Sequence, residues 1–257
     1  MMNDIDEARD WLGNEVDCAA CEHSAVGSSI RCQLKRACVN DRYARRIDRF
    51  FDWNPSLGSA YIQHPHFEVR AIAAKHADVF LLPPLLDDAD ETVRWNAARR
   101  LPKRYLLRLR NDPHREVRIR VASRLDDSDL ISFMNDPDYY VRLVVARRVT
   151  PVLLAGLIRD EEVEVRRVVA CRAPADWLLQ MVGDSDAAVR QEVVQRLAPS
   201  LLNRLRQDQD WRVRFEVARR IPPEDIGDLT EDEDPMVREE AISRSARQSV
   251  QIQDMAR

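Results

Sequence analysis

The sequence predicts an all-α fold, an α-solenoid superhelix of 24-residue repeats, on three observations. A Val-Arg pair recurs eight times at one spacing, from Val69-Arg70 through Val93, Val117, Val141, Val165, Val189 and Val213 to Val237-Arg238, without an insertion. A period of this size marks units that stack because none can bury its apolar face alone. Around each Val, apolar residues fall at +4, +5 and usually +8, as in Val117, Val121, Ala122 and Leu125, which is one face of an α-helix. Glycine is scarce, 6 against 13 prolines in 257 residues, so prolines and caps must make most turns. With repeats from about residue 61 onward, the core must be long and narrow.

Residues 1–40 form a cysteine-rich segment. Its start, Met1 to Glu7, is acidic and lacks a positive region followed by an apolar one, and no stretch approaches a membrane span; a cytoplasmic protein is expected, with no membrane association. A reducing compartment disfavours disulfides and turns attention to metal binding. Four of the five cysteines lie within 21 residues, as Cys18-x2-Cys21-x10-Cys32-x5-Cys38. Four thiolates suit a tetrahedral zinc or an iron-sulfur cluster, and the opening C-x2-C is common to both. The later spacings match neither a zinc ribbon nor the compact ferredoxin run, so spacing alone leaves both open. Gly27-Ser28-Ser29 supplies slack before Cys32, and Cys32 and Cys38 cannot share a helix face without a bend, because six residues turn a helix by about 600°. Arg31, Lys35 and Arg36 stand beside the thiolates and can offset the charge of the site, or form a solvated face. Cys171, His23, His64 and His66 read as structural or surface residues rather than ligands.

Residues 41–63 form an irregular capping unit in which Ile47, Phe50, Phe51, Trp53 and Leu57 shield the first apolar face. Residues 64–257 are the repeats. Counted from each Val, Asp stands at −5 in seven units (Asp88, Asp112, Asp136, Asp160, Asp184, Asp208, Asp232), twice followed by Pro, and reads as a helix N-cap. Prolines at +9 or +10, such as Pro102, Pro151 and Pro174, close a helix of about three turns. A second apolar group at +12, +13 and +16, as in Leu153, Leu154 and Leu157, predicts a short α or 3₁₀ segment before the next Asp. The Arg at +1 (Arg70, Arg94, Arg118, Arg142, Arg166, Arg190, Arg214, Arg238) falls inside the apolar arc, where a bare charge is costly. The recurring Asp, of its own or an adjacent unit, is the expected partner in an Asp-Arg ladder. A second Arg at +7, from Arg100 to Arg244, reads as carbonyl capping or as a basic stripe. Apolar residues at the outward +2 and +3 positions, Trp95, Ile119, Leu143, Val144 and Val168, are a candidate partner surface, with burial between adjacent turns as the alternative. After Val237 the pattern fades into Ser243, Ser245, Gln248, Ser249 and Gln251, a polar C-terminal cap.

The unit from Asp136 to Leu157, of the form D-P-x3-V-R-x2-V-A-R-R, resembles the leucine-rich repeat variant family, and the four-cysteine segment resembles the cluster-binding region that precedes those repeats. HEAT repeats share the Asp-x5-Arg feature but have longer units. The resemblance covers nearly the whole chain. It implies a right-handed superhelix of alternating α and 3₁₀ helices and a 4Fe-4S cluster on Cys18, Cys21, Cys32 and Cys38, with zinc as the runner-up.

A net charge of −4 arises from 40 basic and 44 acidic residues spread along the chain, so no global field selects nucleic acid or a membrane. The sequence lacks a P-loop, a zincin motif and a nucleophile elbow, and four cysteines saturate a cubane, so catalysis has no positive support. The expected function is that of an iron-sulfur protein whose repeats bind a macromolecule, a protein first. The alternatives are nucleic-acid binding along the Arg stripe and a zinc-stabilised scaffold.

Overall fold

The computed structural model describes residues 7–24 and 29–255. The acidic start before Glu7 and the slack at Gly27-Ser28 lie outside the described residues, as do the side chains of the polar cap from Gln248 onward. The described chain is helical and has no strand; two isolated antiparallel bridges, Arg9 with Glu15 and Gln33 with Ala37, fall in the cysteine segment. No described helix is long and apolar enough to cross a membrane.

The chain divides into two compact units, residues 1–125 and 126–257. The first holds the cysteine segment, then α1 (Ala44–Trp53), α2 (Phe67–Ala73), α3 (Glu91–Arg100) and α4 (Arg115–Ala122). The second begins with a single turn, α5 (Asp127–Leu130), and continues through α6 (Tyr139–Arg148), α7 (Val163–Arg172), α8 (Ala187–Arg196), α9 (Trp211–Arg220) and α10 (Pro235–Met255). Short 3₁₀ segments such as Lys103–Leu109, Pro151–Leu157 and Pro199–Leu205 connect successive helices. Within each unit, every repeat helix packs on the next.

The 24-residue pattern becomes the core. All eight repeat valines are fully buried, and in every repeat before the last the +4, +5 and +8 positions bury with them, as in Val193, Val194 and Leu197. In the 3₁₀ segments +13 and +16 are buried, Leu154 and Leu157 among them, whereas +12 residues such as Leu153 are half-buried. A 3₁₀ turn repeats every three residues, so +13 and +16 share one inward line. Ala dominates at the +5 positions of the repeats.

The N-cap expectation is corrected. The helices begin at −2, and the residue with extended backbone before them is at −3: Asp90, Asp138, Asp186 and Asp210 accept the N–H of Thr92, Tyr140, Ala188 and Arg212 at 2.8–2.9 Å. The −5 aspartate lies two residues too early to reach those donors. Instead it folds the preceding turn, its Oδ1 accepting the −3 N–H, as Asp88 does from Asp90 and Asp208 from Asp210, both at 2.9 Å. Pro113 and Pro137 therefore belong to the turn, not to the first helical turn.

The same aspartates meet the +1 arginines of the preceding repeat. Arg70 donates through Nε and Nη2 to both oxygens of Asp88 at 2.7 and 2.8 Å, and Arg94 does the same to Asp112 at 2.6 and 2.8 Å. In the second unit Arg142 forks onto Asp160, Arg166 onto Asp184, Arg190 onto Asp208 and Arg214 onto Asp232, at 2.6–3.0 Å. The Nη1 of each reaches back to its own repeat's turn; Arg142 donates to the Asp136 carbonyl and Arg118, also buried, to that of Asp112, both at 2.8 Å. Arg238 donates to the carbonyls of Asp232 and Glu233. Burial alone would raise the Asp88 and Asp232 carboxyls, but the forks from Arg70 and Arg214, with the turn N–H groups, hold both below the usual 3.8.

The +7 arginines work in the opposite direction along the chain. Arg196 donates to the carbonyls of Ala170 and Ala173 at 2.6 and 2.7 Å, and Arg100, Arg124, Arg172, Arg220 and Arg244 repeat this on the preceding helix end. These are the carbonyls a helix C-terminus leaves unpaired. Arg142→Ala, which strands Asp160 and the Asp136 carbonyl, should lower stability by ~3–5 kcal/mol in denaturant melts, against within ~0.5 kcal/mol for exposed Arg147→Ala. Equal small losses would show that the rung carries no weight.

Candidate metal centre

The four cysteines are held by elements with little regular structure, each fixed by a local polar device. Asp17 accepts the N–H groups of Ala19 and Ala20 at 2.7 and 3.3 Å, which curls the chain so that Cys21 N–H reaches the Cys18 carbonyl at 3.4 Å. A short 3₁₀ turn, Glu22–Ser24, follows. The bend between Cys32 and Cys38 is a tight turn in which Gln33 and Ala37 exchange backbone hydrogen bonds at 2.8 Å and Lys35 takes a left-handed φ of 63°. Such a conformation is unfavourable for a residue with a β-carbon, and glycine is absent from this turn. Cys38 then enters the buried seam, its N–H donating to the Arg46 carbonyl at 3.1 Å just ahead of α1.

Cys18 and Cys32 are exposed, Cys21 is half-buried and Cys38 is buried. Burial pushes the Cys38 thiol up to about 11, opposed by the Asn40 N–H and reinforced by the charges of Asp41, Cys21 and Cys18. Burial likewise raises Cys32, with Cys21 and Cys18 adding to it. Both later cysteines thus feel both earlier ones, so the structure brings the two halves of the motif within electrostatic reach. Among the described residues, no group of three or more His, Cys, Asp or Glu side chains stands close enough to hold a single metal ion. The donor set, four thiols with each pair sensing the other, fits a thiolate-ligated group.

Several supporting residues carry no signal in the cysteine spacing. Asn40 donates its side-chain amide to Cys21 Sγ at 3.6 Å while its backbone N–H acts on Cys38, so one residue touches both halves. Buried Asn54 accepts the Arg31 N–H at 2.8 Å and donates to the carbonyls of Arg31 and Phe50 at 2.7 and 2.8 Å, clamping the approach to Cys32 onto the end of α1. His23 is buried against Phe50 and shares a short hydrogen bond with Tyr61, whose hydroxyl donates to Glu22 at 2.9 Å. Burial, then Glu22, pushes the Tyr61 hydroxyl well up, so it stays protonated. Beneath lies an apolar cluster of Val39, Ile47, Phe50, Phe51, Val69 and Ile72, with Leu57 and Tyr61 at its margin, which joins the segment to the first repeat. Arg31 and Arg36 lie over the Trp53 ring at 5.3 and 5.9 Å.

His64 occupies the −5 position of the first repeat, where later repeats have Asp. Its Nδ1 accepts the His66 N–H at 3.1 Å, as the aspartates do, and Trp11 packs edge-on against it at 4.6 Å. Burial keeps both His64 and His66 below their ordinary values. Cys171 is exposed on α7, far in sequence from the other four. Of the candidate partner surface, Leu143 is removed: it is buried at 4 % exposure, so the alternative reading, burial, holds there. Trp95, Ile119, Val144 and Val168 are half-buried, and the Arg120 guanidinium covers one face of Trp95 at 3.9 Å.

Comparison with known proteins places this geometry. A family profile described as "LRV protein FeS4 cluster" matches residues 8–60. A solved structure described as a leucine-rich repeat variant with a novel repetitive structural motif superimposes with a TM-score of 0.83 and 39% identity, covering 89% of this chain and 98% of that one. An uncharacterized 27.7 kDa protein in the nifB 3' region of Rhodobacter capsulatus is 48% identical over 96 residues, 37% of this chain and 39% of that relative. The alignment thus spans about two fifths of the curated relative's length. Asn54→Ala should cost ~1–3 kcal/mol by leaving the Arg31 backbone groups unpaired, against within ~0.5 kcal/mol for exposed Asn203→Ala, both read from thermal melts.

Proposed function

The chain belongs to the leucine-rich repeat variant family, and from that premise we propose that Cys18, Cys21, Cys32 and Cys38 hold a 4Fe-4S cluster and that the repeats are a scaffold for a protein partner. The observation that carries the first half is that residues 8–60, which include all four cysteines, match a family profile described as an FeS4 cluster, with Cys18 and Cys21 near enough to act on both Cys32 and Cys38. When bound, such a cluster supplies one-electron chemistry or structural support, and cysteine at every iron disfavours substrate activation.

The chain's own residues have separable tasks. Cys38 anchors the site in the buried seam, and Asn40 offers a hydrogen bond to the Cys21 sulfur, the kind of contact that tunes a thiolate-bound centre. The His23, Tyr61 and Glu22 linkage fixes the C-terminal side of the C-x2-C turn against the apolar cluster. For the repeats, a protein partner is favoured over nucleic acid because the +7 arginines are already engaged with backbone carbonyls, which removes the cations a phosphate-binding stripe would need. Anaerobically purified protein should contain iron and acid-labile sulfide in equal amounts, about four of each per chain, with thiolate-to-iron absorbance lost in Cys38→Ser. One zinc per chain without sulfide would overturn the cluster and leave a zinc-stabilised scaffold.

A further inference from the structure

The cysteine segment is electrically lopsided. Between residues 29 and 53 the sequence places seven basic residues and three acidic ones, in a chain of net charge −4. Arg46 is buried on Asp41 at 2.8 Å. Arg31, Lys35, Arg36, Arg45 and Arg49 are exposed, and none forms an ion pair among the described residues. Three of them converge: Arg31 and Arg36 flank the Trp53 ring, and Arg49 donates to the Arg36 carbonyl at 3.1 Å. Arg45 stands one turn before Arg49 on α1. This collar adjoins exposed Cys32. The left-handed turn at Lys35 projects Leu34, an apolar side chain 42% exposed, from among these cations. The opposite arm, residues 7–24, carries Glu7, Asp10, Glu15, Asp17 and Glu22 with Arg9 as its one basic residue besides histidine.

We propose that the Cys32 edge is the docking surface for an acidic protein, whose carboxylates meet Lys35, Arg36, Arg45 and Arg49 around an apolar contact on Leu34. An apolar centre with a charged rim is the anatomy of a transient protein interface, and unpaired cations steer an oppositely charged partner to it. A polyanion such as nucleic acid fits less well. The guanidinium groups occupy the Trp53 ring on which a base would stack, and the acidic arm of the same segment repels an extended phosphate chain. The proposal rests on the cluster reading only in that the partner would meet the site at its exposed cysteine.

The test measures fluorescence anisotropy of a labelled acidic plant-type ferredoxin titrated with the full-length, cluster-loaded protein. Binding should tighten as salt is lowered and weaken about tenfold in Lys35→Glu/Arg36→Glu and in Arg45→Glu/Arg49→Glu, with little change in Arg99→Glu/Arg147→Glu on other helices. Melting and the visible spectrum of each variant separate loss of the collar from loss of fold or cluster, and a protein without a cluster that still binds in this pattern sinks the cluster reading alone. No binding at low salt, equal loss in all three variants, or collar-dependent binding of single-stranded DNA or phosphatidylserine vesicles in preference to the ferredoxin would overturn the proposal.

Discussion

The bidentate pair between the +1 arginine of one repeat and the −5 aspartate of the next is the constraint on which the repeats depend. One guanidinium performs two tasks: its Nε and Nη2 edge joins the following repeat, and its Nη1 ties down carbonyls of its own turn. The aspartate in turn uses one oxygen to fold the turn that precedes the helix. The turn before the helix and the inter-repeat spacing are therefore set by one charged pair, and the +7 arginine adds a link back to the preceding repeat. Exchanging a whole buried pair for apolar residues is often neutral, whereas removing one member is costly, so the rung acts mainly as a register device.

The repeated part of this architecture was legible because repetition amplifies weak signals. A single buried Arg would be ambiguous, but Arg70 through Arg214 at a constant offset, always beside a fully buried Val, imply a matching acid. What remained illegible was which acid caps the helix. Both −5 and −3 carry Asp in many repeats, and composition cannot separate an aspartate that closes a turn from one two residues later that meets the first helical N–H groups. Leu143 was ambiguous similarly: angular position on an isolated helix cannot separate an exposed apolar side chain from one that a neighbour covers.

The candidate metal centre is built the other way, from residues that occur once. The four cysteines announce themselves by spacing, yet Asn40, Asn54 and Tyr61 have no periodicity and are recognised only when the chain folds them onto Cys21, Arg31 and His23. Lys35 is the clearest case, since its left-handed backbone stands where sequence rules would look for glycine or asparagine. His64 marks the junction between the two architectures. It sits in the aspartate register and makes the aspartate's turn contact, while Trp11 of the cysteine segment packs on its ring.

The most direct measurement of the central claim is a double-mutant cycle on Arg166 and Asp184, whose side chains are both largely buried and pair at 2.7 Å. If the rung couples neighbouring repeats, Arg166→Ala and Asp184→Ala will each be costly and the double variant little worse than either, giving a coupling close to one single-variant loss, ~3 kcal/mol or more, in denaturant melts. Additive losses, with a coupling below ~0.5 kcal/mol, would show that apolar packing alone holds the repeats in register.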